Sequence, residues 1–271
     1  MSRARATVTG VTVLTANVAH RGSSGCAPEN TLAAIHAAVA VGADAVELDV
    51  HRTSDGALVV LHDSTLTRTT DIGVRLPGRS RNRVSDLTYD EIRVLDAGSW
   101  HSASYAGERV PLLSEVLDVL ADSGTGLLLE VKDPDAYPGI EADLVAELRR
   151  VRHYFAGALT ERQLVVESFD HQSMLRLKRL CPSISVGLLG SPARRNLPSI
   201  AAWADQVNPH HRRLRRSYVD AVHDAGLDVQ VWTVDGVAEM SRLLAMGVDG
   251  IITNRPDVLN TLLPRHLFYA A

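Results

Sequence analysis

Gly126-Leu127-Leu128-Leu129-Glu130-Val131 is an apolar run of strand length with a single carboxylate near its end. Leu144, Leu148 and Val151 then recur at helical spacing within 140–151. The same strand–helix alternation runs along the whole chain. Strands are expected at Val13–Ala19, Ala45–Val50, Gly126–Val131, Leu164–Ser168, Ser185–Leu189, Asp205–Asn208, Asp228–Val234 and Gly250–Thr253. Helices are expected at Asn30–Val41, Leu113–Ala121, Ile140–Val151, His171–Leu180, Arg216–Ala225, Val237–Ala245 and Pro256–Leu263. Nearly continuous apolar strands separated by helices imply a parallel sheet covered on its outer face. Eight such units in about 250 residues fit an α/β fold of the (β/α)8 TIM-barrel type. A doubly wound open sheet is the alternative. A further β-rich run, Ala57–His62, follows the turn signal Asp55-Gly56 and reads as a strand doubling back from the second barrel strand. The segment 64–111 lacks the strand–helix period apart from a helical patch at Tyr89–Leu95, and reads as a small insertion after that strand.

The chain has 271 residues, which suits one barrel domain over 1–271. Lys and Arg number 28 against 32 Asp and Glu, a net charge of −4. The sequence pI of about 6.2 argues against a nucleic-acid binder acting through bulk charge. No run reaches the ~18 apolar residues of a membrane span. The run Val8–Ala19 is broken by Gly10 and Asn17 and is a poor secretion leader. Alternation of Val11, Val13 and Thr15 reads better as strand. Two cysteines, Cys26 and Cys181, are too few for a disulfide framework. A reduced, cytoplasmic setting is therefore expected.

Ionisable residues gather at the C-terminal ends of the expected strands, where barrel active sites are built. Glu47 and Asp49 lie two apart on one strand and share a face, with Leu48 opposite. Glu130 ends the next barrel strand. Three carboxylates without a cysteine cluster or a zinc-spaced histidine pair suit one hard divalent cation, Mg²⁺ or Ca²⁺. Salt bridges to Arg21 and Lys132 are the competing account. With a metal, Arg21 and Lys132 form a cationic cradle for a phosphate. His20 and His62 can serve as general base and general acid across a phosphodiester, in either assignment.

His20-Arg21-Gly22-Ser23, Pro28-Glu29-Asn30-Thr31, Glu47-Leu48-Asp49-Val50 and His62-Asp63 together resemble the signature of glycerophosphodiester phosphodiesterases. Leu66-Thr67-Arg68-Thr69-Thr70, Glu130-Val131-Lys132, Ser168-Phe169-Asp170, Val231-Trp232-Thr233-Val234 and the stretch Gly247–Pro256 extend the resemblance. It implies a TIM barrel that hydrolyses glycerophosphodiesters to sn-glycerol 3-phosphate and an alcohol. His20 and His62 would be the acid/base pair, Glu47, Asp49 and Glu130 would hold the cation, and Arg21 and Lys132 would contact phosphate. Trp232 would line the pocket, and Phe169 either does the same from the fourth strand or packs in the core. Asn30 is either a helix N-cap or a substrate contact. Asp235 and Glu167 stand where the resemblance leads one to expect an amide. A phospholipase D-like action on lysophospholipid or sphingolipid, and a non-catalytic phosphate-ester-binding barrel, are the alternative functions. The expected partner is a small-molecule phosphodiester. Outside the signature, the basic loop 210–216 invites an anionic head group, against the plainer reading of a solvated loop balanced by nearby acids.

Overall fold

The structure, a computed structural model, describes residues 15–151 and 163–263. Nine strands are present among them: β1 (Ala16–His20), β2 (Ala45–Arg52), β3 (Leu58–Val60), β4 (Gly126–Val131), β5 (Leu164–Ser168), β6 (Ser185–Leu189), β7 (Gln206–Asn208), β8 (Asp228–Val231) and β9 (Gly250–Thr253). All except β3 pair in parallel, and β1 bonds to both β2 and β9. The ring therefore closes into an eight-stranded barrel, which excludes the open doubly wound sheet. β3 pairs antiparallel with β2, Val50 opposite Val60, as the turn signal predicts. The start of the first expected strand, with Val11 and Val13, lies outside the described residues.

Period-two alternation separates two apolar layers. Val46, Leu48 and Val50 of β2, Leu127, Leu129 and Val131 of β4, and Val166 of β5 point outward and pack beneath the helices. Val18, Leu128 and Ile252 point inward and fill the barrel interior. The inward positions nearer the strand ends carry the charges: His20 pairs in register with Glu47, Asp49 with Glu130, and Glu130 with Glu167. Closure of the ring alone thus brings residues from four strands together.

The first helix begins at Leu32 rather than Asn30. Thr31 is its N-cap, its side chain accepting from the Ala34 N–H. Gly22 explains the tight approach of the preceding loop: its φ is +78°, and a Cβ there would lie 2.6 Å from the Ala34 carbonyl carbon. Between β6 and β7, where no helix is expected from the sequence, a short one covers Leu197–Ile200. The segment 64–111 forms short turns and helices around its own apolar cluster, including Leu66, Ile72, Val84, Leu87, Ile92 and Leu95. Its expected helical patch is confined to Tyr89–Ile92. Among the described residues no helix is long and apolar enough to cross a membrane.

Candidate active site

At the C-terminal mouth of the barrel, a cavity of about 100 Å³ is lined by His20, Arg21, Glu47, His62, Glu130, Lys132, Glu167, Phe169 and Trp232. Wider clefts open on two sides. One, of about 570 Å³, is bordered by Arg83, Lys132, Asp133, Phe169 and Asp170. The other, of about 370 Å³, is bordered by His20, Arg21, Ser24, Glu29, Asp235, Asn254 and Arg255.

Glu47, Asp49 and Glu130 each present an oxygen within 4.8 Å of the others, and all three are buried. Burial and the neighbouring carboxylates Asp49, Glu130 and Glu167 push Glu47 well above the usual carboxylate range. Burial and Asp49 raise Glu130 to about 7, against the pull of Lys132. Asp49 goes the other way: burial would raise it, but Lys132, Arg21 and His62 hold it at about 2. This set of hard oxygen donors fits a divalent cation, whose charge would relieve the repulsion left at Glu47 and Glu130.

The salt bridges expected from the sequence are also present. Lys132 Nζ lies 2.8 Å from Glu130 and 3.6 Å from Asp49. Arg21 donates its backbone N–H to Glu47 at 3.0 Å and its Nη1 to Glu29 at 2.8 Å. Its Nε is 3.4 Å from Asp49, inside ion-pair range, yet buried without a hydrogen-bond acceptor. A donor beside the cavity is thus available for an anion. Arg21 itself has φ +54°, a left-handed conformation that costs a non-glycine residue about 1–3 kcal/mol and is held in place by its surroundings.

Asn30, also at positive φ, does not line these cavities. Its Nδ2 donates to Asp49 Oδ2 at 2.8 Å, and its Oδ1 accepts from the Asp49 N–H at 3.4 Å. It fixes a carboxylate rather than capping the helix.

The two histidines have different backing. His20 Nδ1 is 2.6 Å from Asn254 Oδ1, and its Nε2 is 3.9 Å from Glu47. Burial, then Arg21, lowers His20 to about 4. His62 Nδ1 is 2.6 Å from Asp63 Oδ1. Burial opposes ionisation of Asp63, but hydrogen bonds led by that from Arg68 hold its carboxyl far below the usual range. Arg68 also reaches Glu29, and so joins the His62 side to the Arg21 side. The buried His51 donates Nε2–H to the His62 carbonyl at 3.1 Å and meets Tyr137 Oη through Nδ1 at 2.8 Å, steadying the backbone there.

Asp63, Arg68 and Asn254 are the partners that the sequence reading left without a role. Asp63 and Arg68 lie within the quoted motifs, so a carboxylate directly after a strand-end histidine was the available signal.

Trp232 donates Nε1–H to the Asn208 carbonyl at 2.7 Å, and its ring meets Phe169 edge-on at 5.7 Å. Phe169 is 56% exposed and forms an apolar ledge at the mouth. Glu167 accepts a hydrogen bond from Asn208. Burial and Glu130 raise Glu167 to about 8. Trp232 also meets the His210 ring at 5.0 Å, tying the basic loop to the cavity. Within that loop, His211 pairs with Glu239 and Arg216 with Asp220. Arg212 and Arg213 are exposed and have no ion pair among the described residues. Cys26 is an exposed free thiol.

Residues 20–258 match the glycerophosphoryl diester phosphodiesterase family. A glycerophosphodiester phosphodiesterase of Caldanaerobacter subterraneus is 35% identical over 254 residues, covering 91% of this chain and 96% of its own. One from Bacillus subtilis is 35% identical over 258 residues, covering 90% and 84%. The structure of an Oleispira antarctica phosphodiesterase in complex with the product sn-glycerol-3-phosphate superposes with TM-score 0.77 at 29% identity, covering 92% of this chain and 96% of the other. With the same barrel and a match running from the first strand-end histidine into the last helix, this chain belongs to the glycerophosphoryl diester phosphodiesterase family.

Proposed function

We propose that the protein hydrolyses a glycerophosphodiester to sn-glycerol 3-phosphate and an alcohol, with His20 as general base and His62 as general acid. The observation that carries this reading is the convergence of two histidines, three buried carboxylates and two cations on one cavity. Glu47, Asp49 and Glu130 would hold Mg²⁺ or Ca²⁺, which when bound supplies positive charge for the phosphoryl oxygens. Arg21 and Lys132 bind the phosphate and neutralise the charge that builds on it. His62 is oriented by the contact of its Nδ1 with the Asp63 carboxylate, and gives a proton to the departing alcohol oxygen. His20 is backed only by an amide oxygen, with Arg21 beside it, and is the better acceptor of the proton released by the attacking oxygen. The P–O bond to the alcohol breaks as the new P–O bond forms. The Phe169–Trp232 ledge packs against the glycerol carbons. A cyclic glycerophosphate trapped in a single turnover identifies the attacker as a glycerol hydroxyl; direct appearance of glycerol 3-phosphate identifies it as water.

The chain works as one domain in this reading, since the site draws on strands from β1 to β9. A cytoplasmic location suits its two free cysteines and is checked by cell fractionation. Arg212 and Arg213 favour substrates with an anionic head group. The test is a panel of glycerophosphocholine, glycerophosphoethanolamine, glycerophosphoinositol and lysophospholipid. Turnover of the glycerophosphodiesters ahead of the lysolipid is expected, and failure of all three overturns the reading. Neutralising Arg212 and Arg213 should raise KM selectively for anionic substrates; an equal effect on every substrate removes their assigned role.

A further inference from the structure

Asp235 sits in the loop after β8, outside the ring of groups that face the phosphate. Its Oδ1 accepts the Asn254 backbone N–H at 2.8 Å and the Thr253 hydroxyl at 3.1 Å. Its Oδ2 accepts Asn254 Nδ2–H at 2.7 Å. A carboxylate offers only acceptors, so the Asn254 amide must turn its NH₂ end toward Asp235. The Asn254 carbonyl oxygen then faces the opposite way, 2.6 Å from His20 Nδ1. That oxygen is an acceptor only, so Nδ1 must carry a hydrogen. The Ser24 hydroxyl, 2.8 Å from the same oxygen and 2.7 Å from the His20 carbonyl, can give its one hydrogen to either oxygen and so is compatible with the orientation that Asp235 imposes. Neutral His20 is thereby held with its lone pair on Nε2, the nitrogen near Glu47.

We infer that Asp235 is a positioning residue that sets the tautomer of His20 through Asn254. This rests on His20 acting as the base. In this chain a carboxylate at 235 faces an amide at 254, and that pairing fixes which way the amide turns. With an amide at 235, one end keeps the backbone N–H of Asn254 satisfied and the other presents NH₂ to the Asn254 side chain. Two NH₂ groups cannot bond, so Asn254 reverses. Its NH₂ then faces His20 Nδ1, which must become the acceptor. The hydrogen moves to Nε2, where it blocks proton abstraction.

The decisive variant is Asp235→Asn, made in the full chain and compared with Asn254→Ala and the double variant. Asp235→Asn should lower kcat on the order of 10²-fold, the scale of one general-base contribution, with KM unchanged. In the Asn254→Ala background the same substitution should have no further effect, because Asp235 acts through that amide. ¹⁵N-labelled imidazole spectra, with the His20 signal identified by its loss in His20→Gln, should show hydrogen on Nδ1 in the parent. The same signal should show hydrogen on Nε2 in Asp235→Asn. An unchanged His20 pattern in Asp235→Asn overturns the inference whatever happens to activity, as do additive effects in the double variant. His20→Ala with parental turnover instead overturns the assignment of His20 as base. The two failures are thus distinguishable.

Discussion

Arg68 meets Glu29 as a two-pronged fork, Nη1 to Oε2 at 2.8 Å and Nη2 to Oε1 at 2.7 Å. The same guanidinium reaches Asp63 through Nε at 2.7 Å and Nη2 at 3.0 Å. One side chain from the inserted segment therefore braces Glu29, which holds Arg21, and Asp63, which holds His62. Lys cannot reproduce that planar geometry. Arg68→Lys should lower kcat roughly 10-fold, equivalent to ~1.4 kcal/mol of lost transition-state stabilisation. Because Arg68 is partly exposed, its melting temperature should barely move. Paired kinetic and thermal measurements check both; a lowered melting temperature with parental kcat would contradict the assigned role.

His20→Ala and His62→Ala should each reduce kcat by about 10²–10⁴-fold while the barrel stays folded. Circular dichroism alongside steady-state assays separates loss of chemistry from loss of structure. Retained turnover in both variants would sink the acid/base assignment.

Treatment with EDTA should abolish turnover, and Mg²⁺ or Ca²⁺ should restore it and raise the melting temperature. In the metal-free protein Glu47→Gln should be more stable than the parent, because it removes one of three crowded, buried carboxylates. The same variant should lose the cation-induced rise in melting temperature. Calorimetry with and without chelator reads both effects; a cation-induced rise retained in Glu47→Gln argues against that carboxylate as a ligand.

Asp96 knots the inserted segment together. It accepts the N–H groups of Gly98, Ser99 and Gly107 and the Ser99 hydroxyl. Burial would raise its pKa, but these bonds hold it well below the ordinary aspartate value. A carboxyl lowered on folding stabilises above its unfolded pKa of ~3.9, and that contribution is lost as pH falls through the folded value. Asp96→Asn should therefore be less stable than the parent at pH 7. The gap between their urea midpoints should close as the pH is taken below ~4. A gap independent of pH would show that the carboxylate charge does not matter there.

Strands buried along all or nearly all of their length were the most legible elements. β4, β5, β6 and β9 begin and end where the sequence places them, because each is an apolar run bounded by polar or turn residues. β8 ends at Val231, three residues early, since beyond it the pairing shrinks to a single bridge between Trp232 and His210. The helix Leu197–Ile200 escaped notice because four residues are too few to show a period. The cluster of Leu66, Ile72 and Leu87 in the inserted segment has no regular spacing either, so its small core could not be read from the sequence. Glu47, Asp49 and Glu130 were legible as a set because alternation and strand order place them side by side. Arg68, Asp63 and Glu29 were not assembled in advance, since only the folding of the insertion over the barrel mouth brings Arg68 to the other two.

The hydrogen bond between His20 and Asn254 spans 234 positions of the chain. Asn17 makes a similar connection, its Nδ2 bonding to the Pro256 carbonyl and to Asn260. The consequence concerns synthesis on the ribosome. A nascent chain that has emerged only through β8 has both histidines and all three acidic residues, yet has no Asn254 to orient the first histidine and no β9 to close the ring. Hydrolysis can therefore switch on only when the final strand and helix have left the exit tunnel. The onset of turnover in a timed translation reaction would report completion of the fold.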